Sequence, residues 1–289
     1  MYVETVFLSF FPITLSLLSA VPDAGPWCGP VGCEAFKTPR AAFDRVLERA
    51  PVVLALGEYH PLEGGPKVKS TLSRFTQQLL PALKGKATSL VVETWMTNGR
   101  CGDIEKAAVT AVKKVTQRPK ATEDEITTLL DATYALGIAN HILILDCEEY
   151  RSMLEKDGSL DAEKSLLLVR KKVEEKALEV REKGEGGLPD KMLILYGGAL
   201  HNDLAPLEGF EPYSFGPALS NVTDGGYLEL DLVVPELASN DDDLRKEPWF
   251  RPALKLSGTS LTVLVCPHPD ACVMVFPRKK TTGGPQGLR

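Results

Sequence analysis

Histidine is scarce in this chain, with four residues in 289. No Gly-x-Ser-x-Gly occurs, which removes the strained nucleophile turn of the serine hydrolases. No Gly-x-Gly-x-x-Gly follows an apolar run and no P-loop lysine occurs, so dinucleotide and nucleotide binding lack their phosphate cradles. No Cys-x-x-Cys is present, so the six cysteines lack the usual zinc spacing. Lys and Arg are interspersed with acids, as in 163–183, and the net charge is -6. Nothing resembles a basic footprint, which excludes a nucleic-acid partner. Acidity of this size serves solubility. There is no internal repeat and no long linker, and the composition is that of an ordinary globular protein.

Two further absences concern the start of the chain. No Lys or Arg precedes the apolar stretch, Glu4 has the wrong sign for a leader, and no Leu-small-small-Cys stands before Cys28. The last absence argues against a lipid anchor. What is there is an apolar run through Phe7, Leu15 and Leu18 that ends in Ser19-Ala20, which predicts a signal peptide over 1–20. The run is short for a membrane span and carries Pro12. The expected location is secreted or periplasmic/cell envelope, and any membrane association would run through this segment.

The cysteines fit an oxidising compartment. Cys28 and Cys33 bracket a turn-rich loop in a Gly/Pro-rich segment, 21–37. Cys101 and Cys147 each lie shortly after a predicted strand end. Cys266 and Cys272 flank a short loop between two apolar strands, and a disulfide is predicted there. Six cysteines allow fifteen connectivities, so the other pairings stay open.

The stretch that organises the chain is Leu54-Ala55-Leu56-Gly57-Glu58-Tyr59-His60. An apolar run reads as a buried strand, breaks at a glycine, and delivers an acid and an imidazole. The form recurs where an apolar run from Met192 to Tyr196 precedes Gly198-Ala199-Leu200-His201. Ser89-Leu90-Val91-Val92 is a third such run and ends in Glu93. In a parallel α/β sheet, ligands sit beyond the carboxyl ends of the strands. Strands are predicted over 52–56, 89–93, 141–145, 191–196, 227–234, 261–265 and 273–276. Helices are predicted from Pro39 to Ala50 and over 67–83, 103–115, 122–137 and 160–183. Thr122 to Glu125 reads as a capping box, and 202–224 as irregular. The alternation implies an α/β fold: a mainly parallel sheet flanked by helices, with antiparallel additions and a C-terminal hairpin. One domain is expected over 38–278, with a disordered tail at 279–289.

Glu58, His60, Glu93, Asp146, Glu148 and His201 are thereby expected at one sheet edge. His60, His201 and Glu93 suit one divalent ion such as Zn, Mn, Co or Fe, with Glu58 or Glu93 free to take a proton from bound water. Without metal, the same set allows a His base with a Glu partner to activate water against an ester or amide. Both routes make the protein a hydrolase of a small-molecule or peptide substrate.

Gly57-Glu58-Tyr59-His60, Glu93 and Gly198-Ala199-Leu200-His201 resemble the erythromycin-esterase-like/ChaN-like superfamily, over roughly 52–202. That group includes the ChaN haem-binding lipoproteins, the erythromycin esterases and the Tiki/TraB/PrgY proteins. The resemblance implies an α/β fold with its site at the strand ends, and supports Glu58, His60, Glu93 and His201. It assigns nothing to Asp146, Glu148 or His141. Its members span metal-dependent proteases, metal-independent esterases and haem binders, so a non-enzymatic haem- or ligand-binding envelope protein is the alternative, with Tyr59 and Tyr196 beside the motifs. An inert scaffold is a further alternative. Gly64-Gly65-Pro66 departs from the ChaN pattern, where another His or a carboxamide is expected.

Overall fold

The computed structural model describes Cys28 and residues 32–183, 191–239 and 241–278. The expected leader at 1–20 and tail at 279–289 lie outside the described residues, as does most of 21–31.

Eight strands form one sheet: β1 (Glu34–Phe36), β2 (Val53–Glu58), β3 (Ala87–Trp95), β4 (Ala139–Leu143), β5 (Met192–Gly198), β6 (Tyr227–Val233), β7 (Thr262–His268) and β8 (Ala271–Val275). Their order is β1-β7-β8-β6-β2-β5-β3-β4. From β8 to β4 all neighbours are parallel, while β7 runs antiparallel to β8 and β1 antiparallel to β7. The expected α/β sheet with a C-terminal hairpin is what the chain builds. β1 was not anticipated; three residues are too few to show a period.

Period-two alternation gives β2 two buried faces. Leu54 and Leu56 pack with Phe43 and Val46 of α1 (Pro39–Leu47) and with Phe75 and Leu79 of the helical segment 71–83. Val53 and Ala55 pack on the other side with Val169 and Val173 of α6 (Ala162–Lys183) and Leu219 of α8 (Gly216–Val222). Each fully buried side chain of this kind contributes about 1.5–3 kcal/mol. α1 starts where expected: the Thr38 side chain accepts from the Ala41 N–H and Pro39 opens the first turn.

Other boundaries moved for local reasons. Segment 71–83 starts at Ser70, whose side chain caps the Ser73 N–H, and passes through a π turn at Phe75–Leu79 before Pro81. α3 is Gly102–Thr116, and α4 (Ala121–Ala135) lacks the predicted capping box. Glu125 instead accepts a hydrogen bond from Ser70 Oγ at 2.6 Å, so a tertiary partner displaced the local one. The irregular stretch 202–224 contains α8, too short for a periodic pattern, opened by Pro217. Disulfides join Cys28 to Cys33, Cys101 to Cys147 and Cys266 to Cys272.

Candidate functional site

Glu58 ends β2 on the Leu54–Leu56 face and is 5% exposed. One carboxylate oxygen lies 2.7 Å from His60 Nδ1, and the other accepts the Tyr196 hydroxyl at 2.6 Å. Arg118 Nη2 lies 2.5 Å from His60 Nε2. A guanidinium only donates, so Nε2 is the acceptor and Nδ1 carries the proton that Glu58 receives. This network assigns the tautomer. Burial alone would raise the Glu58 pKa; the hydrogen bond and charge of His60, then the Tyr196 hydroxyl and the Arg118 charge, outweigh it and hold the carboxyl below 4.5. Burial, followed by the charge of Glu58 and its hydrogen bond, pushes the Tyr196 phenol well up, so it stays a donor.

Glu93 completes this side. Its Oε2 accepts the Gly198 N–H at 2.7 Å. The approach needs glycine at 197, where a Cβ would stand 2.3 Å from Glu93 Oε2. A Cβ at 198 would stand 3.0 Å from His60 Nε2 and 3.7 Å from Glu93 Oε2, so imidazole and carboxylate face each other across the end of β5. Between them is a cavity of about 10 Å³, lined by Glu58, His60, Glu93, Arg118 and Tyr196 among others. That volume is about what one water needs. Arg118 follows α3 in a short loop that Gln117, with φ 45, turns back toward the site. The Glu63 N–H donates to the Gln117 carbonyl at 2.7 Å and ties this loop to the one after His60. Arg118 Nε is buried without a hydrogen-bond partner among the described residues.

His201 lies elsewhere. It sits in α7 (Ala199–Asn202), is 4% exposed, and its Nδ1 lies 2.7 Å from the Tyr213 carbonyl. It is not among the side chains that line the cavity. Asp203 feels its charge instead. The structure therefore brings Glu58, His60 and Glu93 together and places His201 with a second polar group.

That second group lies on the Val53–Ala55 face. Parallel pairing sets Glu229 beside Ala55 and Asp231 beside Gly57. Asp203 follows α7, and one oxygen from each of Asp203, Glu229 and Asp231 lies within 4.8 Å of the others. Glu229 accepts the Leu204 N–H at 2.6 Å. Burial raises Asp203 to about 6, against the charge of His201. Burial raises Glu229 to about 7, opposed by the Leu204 N–H and reinforced by Asp203. Burial, Glu229 and Asp203 push Asp231 well up, against a hydrogen bond from Asn202.

The acids after β4 are engaged locally. Asp146 and Glu149 form the capping box of α5 (Cys147–Ser152), and Glu148 pairs with Arg151. The donor set at His60 does not suit a divalent ion, because a guanidinium already faces the free imidazole nitrogen and His201 stands away from it. Haem does not suit it either: the cavity is water-sized and the Tyr196 hydroxyl is bound to Glu58. Sequence reasoning missed Arg118, which no motif marks. It also missed Glu229 and Asp231, whose signal was legible as two acids at period two inside an apolar run.

No family model matches the chain, and no curated protein matches it. A crystal structure of a Bacillus cereus protein is similar at a TM-score of 0.38 and 10% identity, covering 83% of this chain and 93% of that one.

Proposed function

We propose that the protein hydrolyses a carboxylic ester or amide without a metal, with His60 as general base. The observation that carries this is the chain Tyr196–Glu58–His60–Arg118 closing on a water-sized cavity. Substrate carbonyl oxygen attracts Arg118, whose buried Nε–H lacks a partner, and draws the guanidinium off His60 Nε2. The freed nitrogen takes a proton from the cavity water as the oxygen bonds to the carbonyl carbon. Glu58 stabilises the imidazolium, and Arg118 meets the oxyanion. The C–O or C–N bond then breaks as His60 returns the proton to the leaving group. Glu93, fixed by the Gly198 N–H, orients the water. Metal-independent esterases are among the members of the superfamily that the motifs resemble.

The three disulfides are compatible with an extracellular protein, and no helix among the described residues is long and apolar enough to cross a membrane. We infer export through the 1–20 segment. The test is a panel of nitrophenyl esters and anilides with the parent and His60→Ala. A base of this kind supplies about 10²–10⁴-fold, so kcat should fall by that factor. Equal turnover by both proteins would refute the assignment.

A further inference from the structure

Three carboxylates and a carboxamide converge on the sheet face opposite His60. Oxygens of Asp203, Glu229 and Asp231 lie within 4.8 Å of one another. Asn202 adds an independent observation. It is 2% exposed, and its Oδ1 has no hydrogen-bond partner among the described residues. Its Nδ2 donates to Asp231 Oδ1 at 3.0 Å and faces the Ala55 carbonyl at 3.4 Å. Oδ1 is the atom left over, and it lies beside Asp231 Oδ1 over the bare Cα of Gly57. It comes within 2.5 Å of the place a Cβ on Gly57 would occupy, and Asp231 Oδ1 comes within 2.3 Å of the same place.

A buried amide oxygen without a donor is costly, and so is a set of three neighbouring carboxylates opposed by the charge of His201 alone. A cation answers both. We infer that Asn202, Asp203, Glu229 and Asp231 form a binding site for one hard divalent cation of the calcium, magnesium and manganese class. Every donor is an oxygen, which is the ligand set those ions take. Metal–oxygen distances of about 2.0–2.6 Å put donors around one ion no more than about 4–5 Å apart, and the three carboxylate oxygens lie within 4.8 Å of one another. The Leu204 N–H fixes one oxygen of Glu229 and leaves the other for the ion. The Tyr227 hydroxyl, donating to the Asn202 carbonyl at 2.5 Å, holds the end of α7 over the cluster. The site does not share a residue with the hydrolase assignment, and its failure leaves that assignment standing.

The whole chain, stripped with EDTA and gel-filtered, is titrated calorimetrically with CaCl2, MgCl2 and MnCl2, with ZnCl2 for comparison, and melting is followed in parallel. One ion per chain is expected to bind and raise Tm, with at least one hard ion preferred over zinc. Glu229→Gln and Asp231→Asn keep the buried volume and should weaken binding about tenfold or more. Circular dichroism reports whether they fold; if Asp231→Asn does not, Asp203→Asn at a half-buried position makes the same comparison. No binding of the three ions at millimolar concentration, zinc preferred over all of them, or affinity unchanged in the folded variants overturns the inference.

Discussion

Gly57 and Glu58 are neighbours in β2, yet each belongs to a different polar centre. Strand alternation turns the Glu58 carboxylate to His60, at 2.7 Å, and the bare Gly57 Cα to Asp231 and Asn202, whose oxygens a Cβ would meet at 2.3 and 2.5 Å. A one-residue step thus sets an acid–base pair on one face of the sheet and an oxygen cluster on the other.

Glycine substitutions at the two centres should differ in cost. Gly57→Ala drives a methyl into Asp231, Asn202 and the Ala199 Cα, which stands 2.8 Å away, so α7 itself must shift. Gly197→Ala meets the Glu93 side chain alone: the carboxylate end, at 2.3 Å, can swing aside, and the Cβ, at 2.9 Å, needs only a small shift of β3. Overpacking costs about 1–3 kcal/mol, and Gly57→Ala belongs at the upper end or beyond. Urea melts should rank Gly57→Ala as the less stable protein, while Gly197→Ala loses turnover through displaced Glu93. The reverse ranking would contradict the packing described.

The pH response follows from Glu58. Its folded pKa is depressed below 4.5, so its contribution to stability is complete above that value and is lost as pH falls through the folded pKa. Acid unfolding should therefore steepen below about pH 4.5. Glu58→Gln should flatten that limb and lower turnover about 10²–10⁴-fold. A limb unchanged in Glu58→Gln would assign the acid transition to other carboxylates.

Tyr196→Phe removes the hydroxyl that donates to Glu58 at 2.6 Å and leaves a buried carboxylate oxygen without that donor. A stability loss of about 1.5–3 kcal/mol is expected, with the acid limb of the rate profile moved to higher pH. A loss below about 0.5 kcal/mol would mean that the bond does not form in solution.

Denatured, unreduced protein should show no free thiols, since all six cysteines are paired. The Cys101–Cys147 bridge spans 46 residues and the Cys266–Cys272 bridge six. Loop entropy gives about 4 and about 2 kcal/mol respectively, so removing the longer bridge should cost more. Six titratable thiols would remove all three bridges and the case for export.

The sheet was legible because apolar runs mark the strands, and Glu58, His60 and Glu93 followed from where two of them stop, one at Gly57 and one at Glu93. Arg118 was not legible: it stands in a loop, and only the turn at Gln117 and the bond to Glu63 bring it to His60. His201 follows the same Gly-x-x-His form as His60, but a short helix after β5 carries its ring to the Tyr213 carbonyl. Glu125 and Asp146 show how local patterns divide. Asp146 keeps its capping box, whereas Glu125 abandons one for Ser70.

The most direct test needs no substrate. Nitrogen-15 NMR of the histidine rings, with His60 identified through His60→Gln, reads which imidazole nitrogen carries the proton. The expected result near neutral pH is a proton on Nδ1 and an unprotonated Nε2, with the Nε2 signal shifted in Arg118→Gln and the tautomer balance altered in Glu58→Gln. A proton on Nε2 in the parent, unaffected by either substitution, would contradict a base held by Glu58 and faced by Arg118.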